Sequence, residues 1–238
     1  MRLDKALADT GQGTRSDVRA LIRQGRVTVD GQAVREPALH VSPAEQAIFL
    51  DGRDIDWQPS YTLMLHKPEG VVSSTDEPGQ RTVLDLLSPR FRRLGLFPVG
   101  RLDKDTTGLL LLTSDGALAH RLMSPVHHVK KRYAVTVAGA LTPAHIRRFA
   151  EGVTLADGTR CRPAVLEVVA SGENSEGIVI LREGKYHQIK RMMAACGLHV
   201  LALHRLSVGA LKLDTALLPG DWRKLTSEEL LVLENEAK

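Results

Sequence analysis

Two carboxylates stand in a polar loop, residues 100–108, directly before an apolar run. Asp103 and Asp105 precede Leu109–Leu112, a run of four leucines that predicts a buried strand. Loops held by rigid strands are where catalytic groups usually sit. An ionised carboxylate in such a loop can act as a nucleophile or as a general base. Asp and Thr are also good turn formers, so the segment by itself leaves a purely structural role open.

The same loop fits a short signature of a different enzyme class. The string from Asp103 to Thr107 matches the D-x-D-x-T pattern of haloacid-dehalogenase-type phosphohydrolases, in which the first Asp is a nucleophile beside Mg²⁺. That motif should end an apolar strand, whereas here Phe97-Pro98-Val99 precedes it and the apolar run follows. Matches of five residues are common by chance. The sequence therefore disfavours a phosphohydrolase.

Three basic residues lead into a strand that begins near an aromatic side chain. Lys130, Lys131 and Arg132 precede Tyr133, which either belongs to the core or stacks on a nucleobase whose phosphates the cations hold. Two histidines at 127–128 lie just upstream. Adjacent histidines on a loop rarely point the same way, so we expect no metal there.

Residues 187–196 predict a helix with one cationic and one apolar face. His187, Lys190 and Arg191 are expected opposite a packed stripe, which consists of Ile189, Met192, Met193 and Cys196. Gly197 is expected to end the helix. Such a helix is either an ordinary surface helix with extended Lys and Arg side chains or one that presents cations to an anionic partner.

The elements that must position these segments follow from hydrophobic spacing. Beyond residue 60 we expect strands and helices with few helices between the strands, which favours a largely antiparallel sheet in an α+β fold. The strands are predicted at 61–66, 108–113, 132–137, 164–169, 178–181 and 200–208, and the helices at 142–151, 187–196 and 226–236. Asp115-Gly116 is expected to form a turn. Residues 52–60 are polar and are taken as a linker.

The first 35 residues predict two helices and a hairpin. Thr14 and Asp17 form a capping-box pattern before the second helix, and Asp30-Gly31 is a typical hairpin turn. The second helix places three arginines on one face, with a fourth just beyond: Arg15, Arg19, Arg23 and Arg26. This row either follows a phosphate backbone or is an ordinary solvated face.

Composition limits the function classes. A chain of 238 residues with 43% hydrophobic and 25% charged residues suits one large or two unequal globular domains. The formal net charge of +4 permits an anionic partner without requiring one, and 4% aromatic residues disfavour a sheet that stacks successive bases. Two cysteines cannot form a disulfide framework. We expect no secretory signal and no bilayer-spanning segment.

The N-terminal pattern resembles the S4 RNA-binding module. The resemblance is carried by Arg2-Leu3-Asp4-Lys5, by Thr14-Arg15, where that family commonly has Ser-Arg, and by the string from Gly25 to Gly31. It implies that the basic helix face docks on structured RNA. The residues expected to bind RNA are Arg2, Lys5, Arg15, Arg19, Arg23 and Arg26.

Nearly the whole chain resembles the RsuA-class pseudouridine synthases, a class of enzymes that modify ribosomal RNA. Five ordered motifs carry this resemblance: His66 to Gly70 with Ser73 to Thr75, Gly100 to Asp103, Tyr133, Gly184 to Met193, and Leu203 to Gly209. The GRLD-x-x-T-x-GLLLLT-x-DG string is the most specific. The resemblance implies an S4-like α/β domain at 1–57 and a catalytic domain at 61–238 with a mixed, mainly antiparallel sheet.

Within that class the sequence is most similar to the enzymes that act on 16S ribosomal RNA. Ser124-Pro125 with His127-His128, the string from Arg162 to Val168, and the Lys190-Arg191 pair carry this finer resemblance. The alternatives are an enzyme acting on 23S ribosomal RNA, or a non-catalytic rRNA-binding assembly factor that kept the fold. Intact Asp103, Tyr133 and Lys190 speak against the assembly factor.

The resemblance assigns a role to each site residue. Asp103 matches the catalytic aspartate, Lys190 the cation that pairs with it, and Tyr133 the tyrosine that packs on the target base. Leu203 closes the apolar side of the base pocket, and Arg101 fills the gap left in the RNA stack. Further RNA contacts are expected from Lys130, Lys131, Arg132 and Arg191.

The resemblance also implies how the protein works. It isomerises a uridine to pseudouridine without a cofactor or metal. Its expected partner is ribosomal RNA in a small-subunit particle or assembly intermediate. We expect a monomer in the cytoplasm.

Overall fold

The computed structural model describes residues 1–124 and 126–236. Pro125 of the Ser124-Pro125 motif, and the last two residues of the predicted catalytic domain, lie outside the described residues. No helix in the described ranges is long and apolar enough to cross a bilayer.

The N-terminal part packs two helices against a small antiparallel sheet, as predicted. The helices are α1 (Leu3–Asp9) and α2 (Arg15–Arg23), and the strands, in the sheet order β2-β1-β3-β4, are β1 (Val27–Val29), β2 (Gln32–Val34), β3 (Ile48–Leu50) and β4 (Arg53–Asp54). The capping box at Thr14 is present, because its side chain accepts a hydrogen bond from the Asp17 amide while Asp17 accepts one from the Thr14 amide. Leu3, Leu7 and Ile22 are fully buried in this module.

The prediction of a linker at 52–60 is wrong for its first residues. Residues 53–54 form β4, paired with β3, and Ile55 is 2% exposed in the core of the N-terminal module. Polar composition hid this strand, since a short edge strand keeps polar side chains on its solvent side.

The larger part of the chain is built on one nine-stranded sheet. Its strands are β5 (Thr62–Lys67), β6 (Phe97–Pro98), β7 (Thr107–Thr113), β8 (Lys131–Ala138), β9 (Val165–Ala170), β10 (Asn174–Leu181), β11 (His199–Val208), β12 (Leu211–Lys212) and β13 (Trp222–Lys224). The order is β13-β5-β7-β11-β8-β10-β9, with β6 beside β7 and β12 beside β11. The pair β7–β11 is parallel and the other pairs are antiparallel, which confirms the predicted mixed, mainly antiparallel α+β fold.

Helices cover both faces of this sheet. They are a short 3₁₀ helix (Val83–Leu86), α3 (Pro89–Arg92), α4 (Gly116–Met123), α5 (Pro143–Glu151), α6 (Gln188–Ala195) and α7 (Ser227–Glu236). Leu109 and Leu111 join one hydrophobic cluster, while Leu110 and Leu112 join another. Because β7 is buried on both faces, it is a continuous apolar run instead of an alternating one.

The prediction of a turn at Asp115-Gly116 is wrong. Asp115 is the N-cap of α4, and its side chain accepts a hydrogen bond of 2.9 Å from the Leu118 amide. Asp is common both in turns and at N-caps. The apolar stripe formed by Leu118, Ala119 and Leu122 is the signal that distinguishes a helix N-cap from a turn here.

The two sheets are joined through Arg90 of α3. Its guanidinium donates to the carbonyls of Thr10 (2.9 Å) and Ile55 (2.7 Å), both in the N-terminal module. Asp56 lies 3.5 Å from Arg90 and also pairs with Lys224 of β13. These contacts dock the N-terminal module against the edge of the large sheet where β13 lies.

The parallel pair β7–β11 requires a glycine at 108. Gly108 faces Arg205 in this register and has φ +103°, and a Cβ there would lie 2.4 Å from the Arg205 carbonyl oxygen. A residue with a side chain would meet both backbone strain and a backbone clash.

We predict that Gly108→Ala lowers the free energy of unfolding by about 2–5 kcal/mol, the sum of a strained φ and an overpacked contact. Gly116→Ala is the matched control, since a Cβ on Gly116 meets nothing within 4 Å and its helical position favours alanine. Urea denaturation of both variants checks this. Equal stability of the two variants would contradict it.

Candidate active site

A cleft of about 610 Å³ opens beside the large sheet. Four parts of the chain form its walls: the stretch 100–106 before β7, the start of β8, residues 181–189, and β11 at Leu203 and Arg205. Val72 and Ser73 complete one side. Three of the predicted chemistry-bearing segments, far apart in sequence, therefore meet in one cavity.

Asp103 lies in the cleft wall on a tightly held turn. Its carbonyl accepts a hydrogen bond from the Thr106 amide at 3.1 Å. The preceding residue is clamped, since Ser73 Oγ donates to the Leu102 carbonyl (2.9 Å) and lies 3.1 Å from the Leu102 amide. The Asp103 side chain is 25% exposed. It is thus accessible from the cleft and stands on a hydrogen-bonded turn.

Lys67, the last residue of β5, holds this loop from beneath. It is fully buried, and its Nζ donates to the carbonyls of Pro68 (3.0 Å), Lys104 (3.2 Å) and Thr106 (2.9 Å). Burial lowers the pKa of Lys67 to about 8, although the carboxylates of Asp105 and Asp103 oppose the shift. An ammonium that satisfies three carbonyls fixes the loop on both sides of Asp105.

Lys190 of α6 bridges the two carboxylates of the loop. Its Nζ lies 3.1 Å from Asp103 Oδ2 and 2.5 Å from Asp105 Oδ1. Burial lowers the pKa of Lys190, but hydrogen bonds to Asp105 and Asp103 outweigh it and raise the pKa above its ordinary value. The hydrogen bond from Lys190 likewise lowers the pKa of Asp105. The sequence prediction that Lys190 contacts Asp103 describes the observed geometry, with one amine shared between two acids.

His187 approaches the other oxygen of the same carboxylate. Its Nε2 lies 3.4 Å from Asp103 Oδ1. His187 is the N-cap of α6 and adopts a left-handed backbone conformation, φ 47° and ψ 36°. Non-glycine residues occupy this conformation at a cost, and such residues are found preferentially at functional sites. The sequence placed His187 on the cationic helix face but did not single it out.

Tyr133 and Leu203, the residues predicted to enclose a base, both line the cleft. Tyr133 is half-buried on β8, and Leu203 is 7% exposed on β11. The two strands are neighbours, with Tyr133 opposite Arg205 and Val135 opposite Leu203. Arg101 also lines the cleft and is exposed. Four of the five residues predicted for catalysis and the base pocket therefore line one cavity. The fifth, Lys190, contacts Asp103 in its wall.

Buried polar groups form part of the cleft lining. Lys131 is 7% exposed, and its nearest hydrogen-bond acceptor is the Leu122 carbonyl at 3.4 Å. Burial, with a smaller contribution from Arg205, lowers the pKa of Lys131 to about 8. Arg205 Nη2 and Thr106 Oγ1 are buried without a hydrogen-bond partner among the described residues. Lys131 thus differs from the surface cation that the sequence suggested: it is a buried lysine of the cleft.

The remaining basic residues predicted to bind RNA lie on the surface outside these walls. Arg15 and Arg23 are exposed on α2, and Lys130 is exposed before β8. Arg132 is exposed and lies 3.5 Å from Glu167. Arg191 pairs with Asp157 and also donates to the Tyr186 carbonyl at 3.3 Å.

Several N-terminal cations are paired with acids of their own module. Arg2 and Arg19 lie 3.0 and 2.8 Å from Asp4, and the hydrogen bond from Arg2 is the main reason that the pKa of this buried carboxylate is lowered. Lys5 pairs with Asp9 at 2.6 Å, and Arg26 with Asp51 at 2.5 Å. The predicted arginine row is therefore partly neutralised.

Clusters of three His, Cys, Asp or Glu with metal-binding geometry are absent from residues 1–124 and 126–236. His128 Nδ1 lies 2.8 Å from a guanidinium nitrogen of Arg162.

Comparison with known proteins gives two family matches. Residues 61–195 match the family model described as RNA pseudouridylate synthase, and residues 1–46 match that of the S4 domain. An uncharacterized RNA pseudouridine synthase of Bacillus subtilis (strain 168) is 44% identical over 98% of both chains. Ribosomal small subunit pseudouridine synthase A of Escherichia coli (strain K12) is 43% identical over 97% of this chain and 98% of its own.

A solved structure shares the architecture over almost the full length. A crystal structure of pseudouridylate synthase superposes with a TM-score of 0.69 at 36% identity and covers 98% of this chain and 99% of its own.

We predict that Lys67→Met loosens the loop that carries Asp103, because methionine retains the buried stem but none of the three hydrogen bonds. Amide hydrogen exchange of peptides spanning 100–107 is expected to accelerate at least about tenfold. Lys104→Met is the control, since the Lys104 amine bonds only outward to Gln80 at 3.1 Å among the described contacts. An unchanged exchange rate in Lys67→Met would contradict the role of this ammonium.

A second prediction concerns pH and the buried amine of Lys131. Its pKa is lower in the folded protein than in the unfolded chain, so between about pH 8 and pH 10 the unfolded state binds more protons and stability rises with pH. Lys131→Met removes this gain. The free energy of unfolding of wild type, relative to that of Lys131→Met, is therefore expected to increase by up to about 1.4 kcal/mol per pH unit across that window. Denaturant titrations at pH 7, 8, 9 and 10 check the slope, and parallel curves would refute it.

Proposed function

Because the chain belongs to the RNA pseudouridylate synthase family and carries an S4 domain, we propose that it isomerises one uridine of small-subunit ribosomal RNA, with Asp103 as its catalytic residue. The observation that carries the site assignment is the ion pair between Asp103 and Lys190, 3.1 Å apart, because Asp103 lines the cleft that also holds Tyr133. The protein is thus an isomerase. Its substrate is proposed from its relatives, and its catalytic residues are proposed from the geometry of the cleft.

The isomerisation rearranges bonds without adding or removing atoms. The N1–C1′ bond of the uridine breaks, the base turns, and C5 bonds to C1′ while the C5 proton moves to solvent and N1 gains one. The reaction is neutral in redox and consumes no water. The protein must therefore hold the detached base and supply a carboxylate.

Asp103 supplies that carboxylate. Lys190, whose Nζ lies 3.1 Å from Asp103 Oδ2, places a positive charge beside it and orients the side chain. Three roles are open to an ionised Asp103: attack on the sugar, attack on the base, or abstraction of a sugar proton. Because Lys190 has one ammonium in place of a planar guanidinium, its contact with Asp103 is single and not bidentate.

The base pocket is assigned to the side chains around Asp103. Tyr133 packs on one face of the uracil and is the candidate for moving the C5 proton, while Leu203 closes the apolar side. Arg101 occupies the place in the RNA stack that the target leaves.

The target nucleotide must leave its stack to reach Asp103, which costs a few kcal/mol. Binding energy from elsewhere on the RNA offsets this cost. We assign that binding to residues 1–57 as an RNA-binding domain, tethered to a catalytic domain at 61–238. Its contributors are Arg2, Lys5, Arg15, Arg19, Arg23 and Arg26, with Lys130, Arg132 and Arg191 on the catalytic domain. The arginines that are paired with Asp4 or Asp51 must release that carboxylate before they can bind an RNA phosphate.

The proposed substrate form is 16S ribosomal RNA in a small-subunit particle or assembly intermediate. Two relatives support the RNA class: the Escherichia coli (strain K12) and Vibrio parahaemolyticus proteins, 43% and 41% identical, both carry the name ribosomal small subunit pseudouridine synthase A. We further propose that the protein acts as a monomer in the cytoplasm, where bacterial ribosomal RNA is made.

We predict that Asp103→Asn lowers the rate of pseudouridine formation by about 10²- to 10⁴-fold, the range over which loss of an acid–base group acts, while RNA binding is retained. Wild type and variant are incubated with small-subunit ribosomal RNA, free and in partly assembled particles, and separately with 23S ribosomal RNA. Pseudouridine is mapped by carbodiimide-stop primer extension. One Asp103-dependent stop is the expected result.

Asp105→Asn is the matched control, since Asp105 shares Lys190 with Asp103 but is 61% exposed. It is expected to stay within about tenfold of wild type. A stop in 23S ribosomal RNA alone would overturn the proposed substrate but keep the reaction. No stop in either RNA, with RNA still bound, would indicate a non-catalytic assembly factor.

A further inference from the structure

Tyr186 is an exposed aromatic ring at the edge of the cleft. All phenylalanine, tyrosine and tryptophan side chains lie in the described residues, and Tyr186 is the one among them that is mainly exposed, at 76%. It also lines the cleft that holds Asp103. An exposed aromatic ring in the lining of a substrate cavity is available to stack on a nucleobase that enters the cavity.

The Tyr186 ring stacks face to face on its neighbour. Its centroid lies 3.8 Å from that of His187, with an interplanar angle of 17°. The backbone of His187 is in the left-handed conformation, φ 47°. One face of the tyrosine is therefore covered by the imidazole.

The segment that presents this stack is rigidly held. Glu183 accepts hydrogen bonds from the Arg162 amide (2.9 Å), Gln188 Nε2 (2.6 Å) and Lys185 Nζ (3.0 Å). Gln188, 4% exposed, in turn accepts from the Lys185 amide at 2.9 Å. Arg191 donates to the Tyr186 carbonyl at 3.3 Å. The backbone around Tyr186 is anchored on both sides, so the exposed ring does not come from a loose loop.

The inner ring of the stack touches the catalytic carboxylate. His187 Nε2 lies 3.4 Å from Asp103 Oδ1, while Lys190 occupies Oδ2 at 3.1 Å. A line of contacts thus runs from the solvent face of Tyr186 through the imidazole to Asp103. A ligand that stacks on Tyr186 presses on the group that orients one oxygen of Asp103.

We propose that Tyr186 is a stacking platform for an RNA base that neighbours the target uridine, and that His187 beneath it is a positioning residue for Asp103. The inference rests on the proposed function, because a flipped uridine leaves adjacent bases unstacked at the cleft edge. An aromatic ring is the usual protein partner for an unstacked base. Lys185 precedes Tyr186 in the chain, and Arg191 donates to the Tyr186 carbonyl. Both cations are paired, with Glu183 and Asp157, and either would bind an RNA phosphate by releasing its acid.

The first test is a double-mutant cycle that combines a substitution in the protein with a change in the RNA. In a fragment carrying the mapped uridine, each neighbouring nucleotide is replaced in turn by an abasic one. Tyr186→Ala is expected to lower kcat/KM roughly 10- to 100-fold, the loss of one base–aromatic stack. One abasic position is expected to lower kcat/KM of wild type by a similar factor, with little further effect on Tyr186→Ala.

Two variants keep this test specific. Tyr186→Phe retains the ring and is expected to stay within about threefold of wild type. Val169→Ala removes a 64%-exposed apolar side chain of β9, remote from the cleft lining, and is expected to be unchanged. Equal losses with every abasic RNA in both wild type and Tyr186→Ala, or full activity of Tyr186→Ala, would overturn the platform.

The second test separates His187 from a merely structural role. Asn tolerates the left-handed conformation, so His187→Asn removes the imidazole with little backbone cost. It is expected to lower kcat about tenfold with KM within twofold and Tm unchanged. An unchanged kcat would remove the positioning role, and a fall in Tm together with both constants would show a structural role instead.

A readout without turnover separates failure of this inference from failure of the proposed function. Ultraviolet cross-linking of wild type to small-subunit ribosomal RNA, followed by mass spectrometry of the protein, is expected to place a nucleotide on Tyr186 and to lose it in Tyr186→Ala. Cross-linking at Tyr186 without pseudouridine formation would contradict the proposed enzyme activity and support the stacking platform. Pseudouridine formation without that cross-link would do the reverse.

Discussion

The buried ammonium of Lys67 is the interaction on which the geometry of the site depends. Lys67 ends β5 and lies opposite Gly108 of β7, so its Nζ reaches the loop that precedes β7 and bonds to the carbonyls of Lys104 and Thr106. A charge taken out of water is costly unless its hydrogen bonds are satisfied. The three carbonyl contacts offset that cost only while the loop keeps its shape. The position of Asp103 is therefore tied to the packing of the sheet.

The second constraint is the parallel pair β7–β11, in a sheet whose other described strand pairs are antiparallel. Pairing β7 with β11 brings Gly108 against the Arg205 backbone and sets β8 beside β11, so that Tyr133 faces Arg205. Helix α6, which leads into β11, then carries Lys190 and His187 over the loop of Asp103. Each oxygen of one carboxylate meets a different side chain of that helix. An RNA base stacked on Tyr186 would act on the same carboxylate from outside, which would couple recognition of the RNA to its chemistry.

Most of the regular structure could be predicted from local patterns. The buried run of β7, the capping box of α2, the stop at Gly197 and the apolar stripe of α6 follow from spacing alone, and all are present. The short edge strand β4 and the helix α4 could not be separated from loops. Their residues suit turns as well as these elements, and only pairing with β3, or packing of Leu118 and Leu122, decides between the two.

The sequence by itself determined the family, the two kinds of fold unit and the prediction that Lys190 contacts Asp103, because ordered motifs carry that information along the chain. Tertiary structure alone decided the rest. It placed Lys131 in the cleft wall, paired Arg19 with Asp4 and Arg26 with Asp51, and set His187 against the free oxygen of Asp103. Burial and partner choice depend on residues distant in sequence, whose approach is set by sheet order and strand register. A lysine in a basic run gives the same sequence pattern whether its side chain is exposed to water or buried against a carbonyl.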